Sequence, residues 1–596
     1  MRSILQKLGL GLTVWAVWTA AAWADPTAEI RGELDPDLRR RLVQAVGESD
    51  GPPGSRFEAR RRARAAAEDA TALLRSEGYY QAVVQDEVEG EETARAVVVV
   101  IPGERFVFAV PTVTWTDEVP EPEIDAAVRS EMGLATGQPG RAVEVIAAEG
   151  RLVAGLSRLG HADARATPRR VVVDHAVRTV EPEFRIDAGP LVTLDGVQLE
   201  TRGRTSPDWV DYLRPWEEGD RYDPEQVAEL ERRLLETGVY DGVGVALAPA
   251  GQSTAEGDRP VVVTLTDRPR RVLEIGATVS TSEGAGIDAI WTHYNRFGRA
   301  DTLRYQARLA GIDSRIGADL SLPHWRRPGR TLTLSGALVN EDTDAYVRSA
   351  VSASADLRQR WGRTSYFSYG VGFDAGQYQE SRFDPVRGLP VDFDRDLAIL
   401  TLRGGAYVDA SNDPLDPTTG WRLFVSAQPT AVTGEDTVLF VRTEAQLSAY
   451  LPLQNDGVTV LAGRLRVGSV LGGDELTVPS DRLFYSGGGG SVRGYAFQGV
   501  GPRLPDNTPR GGVSLFEASV EVRRRIRGPL GMAAFIDAGA VGFDQVPDLG
   551  QARIGVGVGV RYDLPFGPIR ADLAFPLDKR EGDADFQIYI SIGQAF

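Results

Sequence analysis

Across residues 270–596 apolar and polar side chains alternate at every second position, and this pattern narrows the fold more than any other feature of the chain. Leu273, Ile275, Ala277 and Val279 alternate with Glu274, Gly276, Thr278 and Ser280. Near the other end Phe586, Ile588, Ile590, Ile592 and Phe596 fall on one face, with Gln587, Tyr589, Ser591 and Gly593 on the other. Period two is the repeat of a β-strand, which turns one set of residues outward and the other inward. Within lipid every backbone polar group must be paired internally, which leaves only helices and closed barrels. No apolar run after residue 24 is long enough for a spanning helix. A soluble β-sandwich needs fewer residues than this stretch supplies. At roughly 20 residues per strand and turn it suits about 16 strands, an even number. Residues 269–596 are therefore expected to form an antiparallel transmembrane β-barrel.

The N-terminus supplies the export route such a barrel needs. Arg2 and Lys7 form a basic start, Leu8 to Ala22 is mostly apolar, and Ala22-Trp23-Ala24 is a small-x-small cleavage site. Residues 1–24 thus read as a secretory signal. Its loss removes Arg2 and Lys7 and takes the net charge from -18 to -20. That acidic balance argues against a nucleic-acid partner. With no Cys, a disulfide scaffold and a thiolate metal site are excluded. The four histidines (161, 175, 293 and 324) form no H-E-x-x-H pair, and there is no G-x-S-x-G elbow. Neither an enzyme nor a cofactor is expected. Asp409, Asn412, Asp413 and Asp416 lack EF-hand spacing and read as turn residues. Trp361, Tyr366 and Tyr369 read as interfacial girdle residues.

Between Asp25 and about Arg268 one pattern recurs with a period near 80 residues: a helix ends at a glycine and two extended stretches follow. Phe57 to Glu77 leads to Gly78, then to strands at Val83-Val84 and Val97–Ile101. Ala142 to Leu159 leads to Gly160, with Val171–Val173 as the closing strand. In the third copy Asp223 caps, Pro224 takes the first helical position, and the helix runs to Thr237 before Gly238. Strands follow at Val239–Leu247 and Val261–Thr266. A helix that reverses into a strand needs a residue tolerant of positive φ, hence glycine. These are expected to be three α+β modules, residues 25–103, 104–186 and 187–268.

Inside the alternating region sits Arg482-Leu-Phe-Tyr-Ser-Gly-Gly-Gly-Gly-Ser-Val-Arg-Gly-Tyr495. A phosphate-cradling loop would place Lys-Ser/Thr after its glycines, and this one does not. Taken alone, Gly487, Gly488, Gly489 and Gly490 make a flexible turn that carries one arginine.

The three modules resemble the POTRA domains of bacterial outer-membrane assembly proteins, periplasmic units whose sheet edges pair with extended partners. Inert spacers are the competing reading. Ser491-Val-Arg-Gly-Tyr495 resembles the VRGY/F motif of the loop that folds into the barrel lumen in the superfamily containing BamA, TamA and the two-partner secretion transporters. Phe535-Ile-Asp-Ala-Gly539 resembles that superfamily's F-x-D-x-G strand, and Glu521 its inward acidic residue. Trp291–Gly298, Asp409–Trp421 and the stretch from Gly567 to Phe596 resemble the TamA branch, as does the number of modules. The resemblance implies an outer-membrane location and a latch in which Arg493, Gly494 and Tyr495 meet Asp537 and Glu521. Gly487 to Gly490 would be its hinge.

It further implies a weak seam between a first strand at about Val272–Ser282 and a last at Phe586–Phe596. The seam residues would be Leu273, Ile275, Ala277, Val279, Ile588, Ile590, Ile592, Gly593 and Phe596. Client outer-membrane proteins, autotransporters among them, would insert there without nucleotide hydrolysis. The implied partners are a TamB-like inner-membrane-anchored protein, the clients and the lipid bilayer. A two-partner-type secretion pore and a BamA-like general insertase are the alternatives; for the pore, residues 25–33 are too short for a plug helix.

Overall fold

The computed structural model describes residues 25–596 except 50, 92, 255–257, 281–283, 363, 385–388, 435–436, 454–457, 565–566 and 593. The signal segment and Gly593 lie outside the described residues. So do the side chains of Ala277, Val279 and Ile592. The chain forms two compact units. One holds the residues up to Asp195 with Trp216–Gln226 and Pro249–Arg259; the other holds Gly196–Pro215, Val227–Ala248 and Pro260–Phe596.

The modules share the order strand–helix–helix–strand–strand, one strand and one helix more than the sequence reading assigned; the first adds the short pair Asp25–Pro26 and Glu48–Ser49, the second the strand Val107–Phe108. In the first, Glu29–Arg31 pairs in parallel with Arg95–Ile101, which pairs antiparallel with Val83–Glu89. The helices are Pro36–Val46 and Arg56–Ser76. The longer one buries Ala59, Ala63, Ala66, Ala70 and Leu74, one per turn, and alanine lets it lie close on Val98 and Val100. The second module repeats this with helices Pro122–Glu131 and Ala142–Arg158 and a sheet centred on Thr179–Asp187. In the third, Pro207–Tyr212 and Pro224–Leu235 accompany a sheet of Leu194–Thr201, Arg259–Asp267 and Tyr240–Leu247. The missed first helices do carry a signal, for proline opens each of them, at Pro36, Pro122 and Pro207. Gly78, Gly160 and Gly238 have φ of 94°, 103° and 68°, as the chain reversal requires. Asp223 Oδ1 accepts the Glu225 N–H at 2.8 Å and caps the last helix.

The alternating region is one 16-stranded antiparallel sheet in which neighbours follow chain order, from Arg271–Ser280 to Gln587–Ile592. Its outward face is apolar: Ile275 is 73% exposed and Ile590 71%, and Leu273 and Ile588 also face out. Tyr589, between two such isoleucines, is buried. No helix among the described residues is long and apolar enough to cross a membrane.

Two sequence expectations are corrected here. Phe596 does not share the outward face of Ile588 and Ile590. Among the described residues strand pairing reaches no further than Ile592, residues 594–596 are not in a strand, and the Phe596 ring packs on Tyr450, Val460 and Ala462. The guanidinium groups of Arg464 and Arg523 each lie 5.4 Å from its centroid. Tyr366 also leaves the girdle. It sits opposite in parity to the exposed Phe367 and Tyr369, under Arg358 at 4.4 Å.

Candidate functional site: a loop latched inside the barrel

The segment between the strands Thr459–Leu471 and Ser514–Arg527 runs into the sheet's inward face and is fastened there at two places. Its base meets the sixth and seventh strands, Tyr346–Trp361 and Ser365–Asp384. Arg482 Nη2 donates to Asp374 Oδ2 at 2.7 Å, Arg348 Nη1 to Asp481 Oδ2 at 3.1 Å, and Arg382 Nη2 to the Val478 carbonyl at 2.8 Å.

The tip meets the strands near the end of the chain. Alternation alone turns Glu517, Ser519 and Glu521 inward while Val520 and Val522 face out. On the next strand, Leu530–Gly542, it turns Phe535 and Asp537 inward. Asp537 pairs with Ser519 and Phe535 with Glu521, so both carboxylates stand on one patch of wall. Arg493, 2% exposed, fills the space between them. Its Nε donates to Asp537 Oδ2 at 2.7 Å and its Nη2 to Asp537 Oδ1 at 3.0 Å, a bidentate fork. Nη1 donates to Glu521 Oε2 at 2.7 Å and to Asp572 Oδ2 at 3.3 Å. The guanidinium also lies over the Phe535 ring. A charge so deprived of water is tolerable only with such partners.

Several members of this cluster were missed in the sequence. Asp572 is a third carboxylate, and Arg523, Arg561 and Arg570 surround the acids with further cations. The fourteenth strand, Arg553–Tyr562, turns Gly555, Gly557 and Gly559 inward. A Cβ at Gly555 would lie 1.8 Å from the Arg493 carbonyl oxygen, so that wall must be bare for the latch to seat. Glycine at every second position between valines was the readable signal.

The glycine hinge is narrower than four residues. Gly487 and Gly488 have φ of 109° and 101°, whereas Gly490 has no positive φ and open space around it. Gly489 faces the Tyr589 ring, where a Cβ would come within 2.8 Å. Gly494, at φ 103°, passes the Phe575 backbone so closely that a Cβ would stand 2.8 Å from its carbonyl carbon. Ser486 Oγ donates to Glu517 Oε1 at 2.8 Å, and Arg464 Nη1 to the Gly490 carbonyl at 2.7 Å.

The latch also holds the last strand. Tyr589 OH donates to the Tyr495 carbonyl at 2.9 Å and accepts the Gly494 N–H at 3.2 Å. That strand pairs with Ile569–Pro576 over only Ile569↔Ile592 to Ala574↔Gln587. The first strand pairs with the second from Arg271↔His293 to Ser280↔Gly284. Among the described residues no register joins the first strand to the sixteenth, so the two form the edges of the sheet. The loop at Asp409–Trp421 is held by local turns: Asp413 Oδ1 accepts the Leu415 and Asp416 N–H groups, and Asn412 Oδ1 those of Thr418 and Thr419.

Residues 295–596, half of the chain, match the Omp85 superfamily domain. The chain belongs to the Omp85 superfamily. Among curated relatives, outer membrane protein assembly factor BamA of Nitratidesulfovibrio vulgaris is 25% identical over 400 residues, covering 64% of this chain and 48% of the relative. BamA of Neisseria meningitidis serogroup B is 21% identical over 535 residues, covering 81% and 66%. The chloroplastic outer envelope protein 80 of Arabidopsis thaliana is 26% identical over 419 residues, covering 63% and 53%. The chain thus spans about half to two thirds of the length of these relatives. The crystal structure of Haemophilus ducreyi BamA lacking POTRA domains 1–3 superposes with a TM-score of 0.66 at 18% identity, covering 81% of this chain and 99% of that one. The fold is therefore POTRA-like modules followed by an Omp85 barrel. The barrel lies in the outer membrane and the modules in the periplasm.

Proposed function

We propose that this Omp85 protein is an outer-membrane assembly factor of the TamA type, which folds client barrel proteins at its own seam. The observation that carries this reading is the pair of sheet edges: a last strand of six residues and a first strand stand at the two ends of the strand order and share no register among the described residues. Unpaired strand edges are templates for another strand, a hazard elsewhere and useful here. The assembly-factor names of the BamA relatives support the coarse reading; the TamA type rests on the motif resemblances and three modules. Clients, autotransporters among them, would pair with the first strand while the latch keeps the rest of the barrel in shape. Neither catalysis nor a cofactor is needed, because strand pairing supplies the free energy. A TamB-like partner would meet the modules, residues 25–268. The secretion-pore reading is less well supported, since a polypeptide would have to displace a loop fastened at two places.

The test uses the absence of native cysteine. Ile275→Cys combined with Ile588→Cys or Ile590→Cys should cross-link the seam on oxidation, stop client insertion, and recover on reduction. Full client assembly by the locked protein would refute the reading.

A further inference from the structure

On a chain of net charge -18, one part of the periplasmic rim carries an opposite and concentrated charge. Arg270 and Arg271 open the first barrel strand, Arg296 and Arg299 lie in the turn after the second, and Arg326 and Arg327 in the turn after the fourth. All six are exposed. None is within ion-pair distance of a carboxylate among the described residues, although most other arginines of the barrel are so paired. Strand register makes the three segments neighbours along the rim, because the first four strands are consecutive in the sheet.

The aromatic residues of the adjoining strands fix the height of these arginines relative to lipid. Leu273 pairs with Trp291, and Trp291 with Tyr305. All three are outward and exposed, and the two rings lie 5.3 Å apart. An aromatic row of this kind marks the boundary between hydrocarbon and headgroups. Arg271 stands two residues, or roughly 7 Å, beyond Leu273 toward the periplasm, and the other five lie just past the periplasmic ends of their strands. That is headgroup depth. Exposed Phe297, with the Arg296 guanidinium 5.8 Å from its centroid, and Trp325, with Arg326 at 4.5 Å, add amphipathic anchors at that level.

We propose that this rim, next to the first strand, binds phosphates of anionic phospholipids in the periplasmic leaflet. The planar guanidinium fork matches a phosphate bidentately, and six arginines without a carboxylate partner, of which Arg270 also donates to His293 Nε2 at 2.8 Å, would gather several headgroups at once. The proposal goes beyond the assembly reading and needs only the barrel's place in the outer membrane. It puts a cluster of bound lipid beside one edge of the seam.

The experiment is native mass spectrometry of the full-length protein in detergent, titrated with phosphatidylglycerol or phosphatidylcholine at low and high salt. Phosphatidylglycerol should be retained in preference, and lost as salt rises. A variant with all six arginines changed to Gln should retain at least about tenfold less, given about fivefold per charge near an anionic surface. The same positions changed to Lys should keep most of the binding, which separates loss of charge from loss of fold. Arg60→Gln/Arg61→Gln/Arg64→Gln on the exposed face of a module helix should change nothing. Equal phosphatidylglycerol retention by the Gln variant would overturn the proposal. So would unchanged lipid retention with loss of a bound acidic protein, which would make the rim a protein-docking surface.

Discussion

Replacing Arg493 by Ala tests the latch most directly, and the structure sets the size of the effect. Asp537 is fully buried, and among the described residues its carboxylate accepts only from Arg493: two side-chain bonds and the backbone N–H at 3.1 Å. Glu521 would keep Arg523 and Arg561, and Asp572 would keep Arg561 and Arg570. The orphan is therefore Asp537. Removing one partner of a buried ion pair costs about 3–5 kcal/mol. The near-zero exposure of both groups leaves little for solvent to discount. Such a cost shifts the docked loop toward release by roughly a hundred- to several-thousand-fold. Hydrogen exchange of backbone amides 486–500 in the detergent-solubilised protein reads that ratio, with proteolysis of the loop as a second probe. Adding Asp537→Ala should cost little more, because the charge left stranded is gone, so the double-mutant cycle should be strongly non-additive. Arg493→Lys should fall between, since an ammonium cannot fork onto Asp537 and reach Glu521 together. An exchange increase below about tenfold, or an additive cycle, would refute the reasoning.

Local geometry sets two further outcomes. Gly494→Ala should undock the loop, because φ of 103° and a Cβ 2.8 Å from the Phe575 carbonyl carbon cannot both be accommodated, whereas Gly490→Ala should leave loop exchange unchanged; equal effects would deny the close approach. His324, in the turn between Leu322 and Arg330, accepts the Gly329 N–H through Nδ1 at 3.0 Å, and its Nε2 lies 2.9 Å from the Arg233 carbonyl. Burial, the largest cause, pushes its pKa below the ordinary 6.5, so the unfolded form binds the proton more readily. The buried seat of His324, with its neutral Nδ1 accepting from Gly329, is thus fully stabilising above about pH 6.5 and weakens as pH falls toward the lowered value. Exchange in the helix Pro224–Leu235 should rise on acidification below 6.5 and lose that dependence in His324→Gln.

How much was legible depends on the range of each interaction. Alternation is a local property, so strand direction, strand number and the outward faces of Ile275 and Ile590 could be read before any coordinates. The helix-terminal glycines were legible for the same reason, since positive φ is a demand of one residue on itself. The first strand and helix of each module escaped notice because they are short and weakly periodic, although a proline opened each helix. Arg493 could be matched to Asp537 and Glu521 only through the resemblance, because nothing local links residues so far apart in the chain.

The amino-acid order by itself determined which residues share a face of a strand, and therefore that Glu517, Ser519 and Glu521 stand opposite Val520 and Val522. It did not determine which inward residues meet. Sheet register placed Asp572 opposite Gly559, from where Arg493 and Arg561 join it to Glu521, and Gly555 left the bare spot on which the Arg493 backbone seats. Tertiary structure also took Phe596 out of its alternation, since register binds a residue to a face only while pairing lasts, and among the described residues pairing reaches no further than Ile592. The bond from Tyr589 to the loop was decided the same way, by how far a short last strand reaches along its one neighbour.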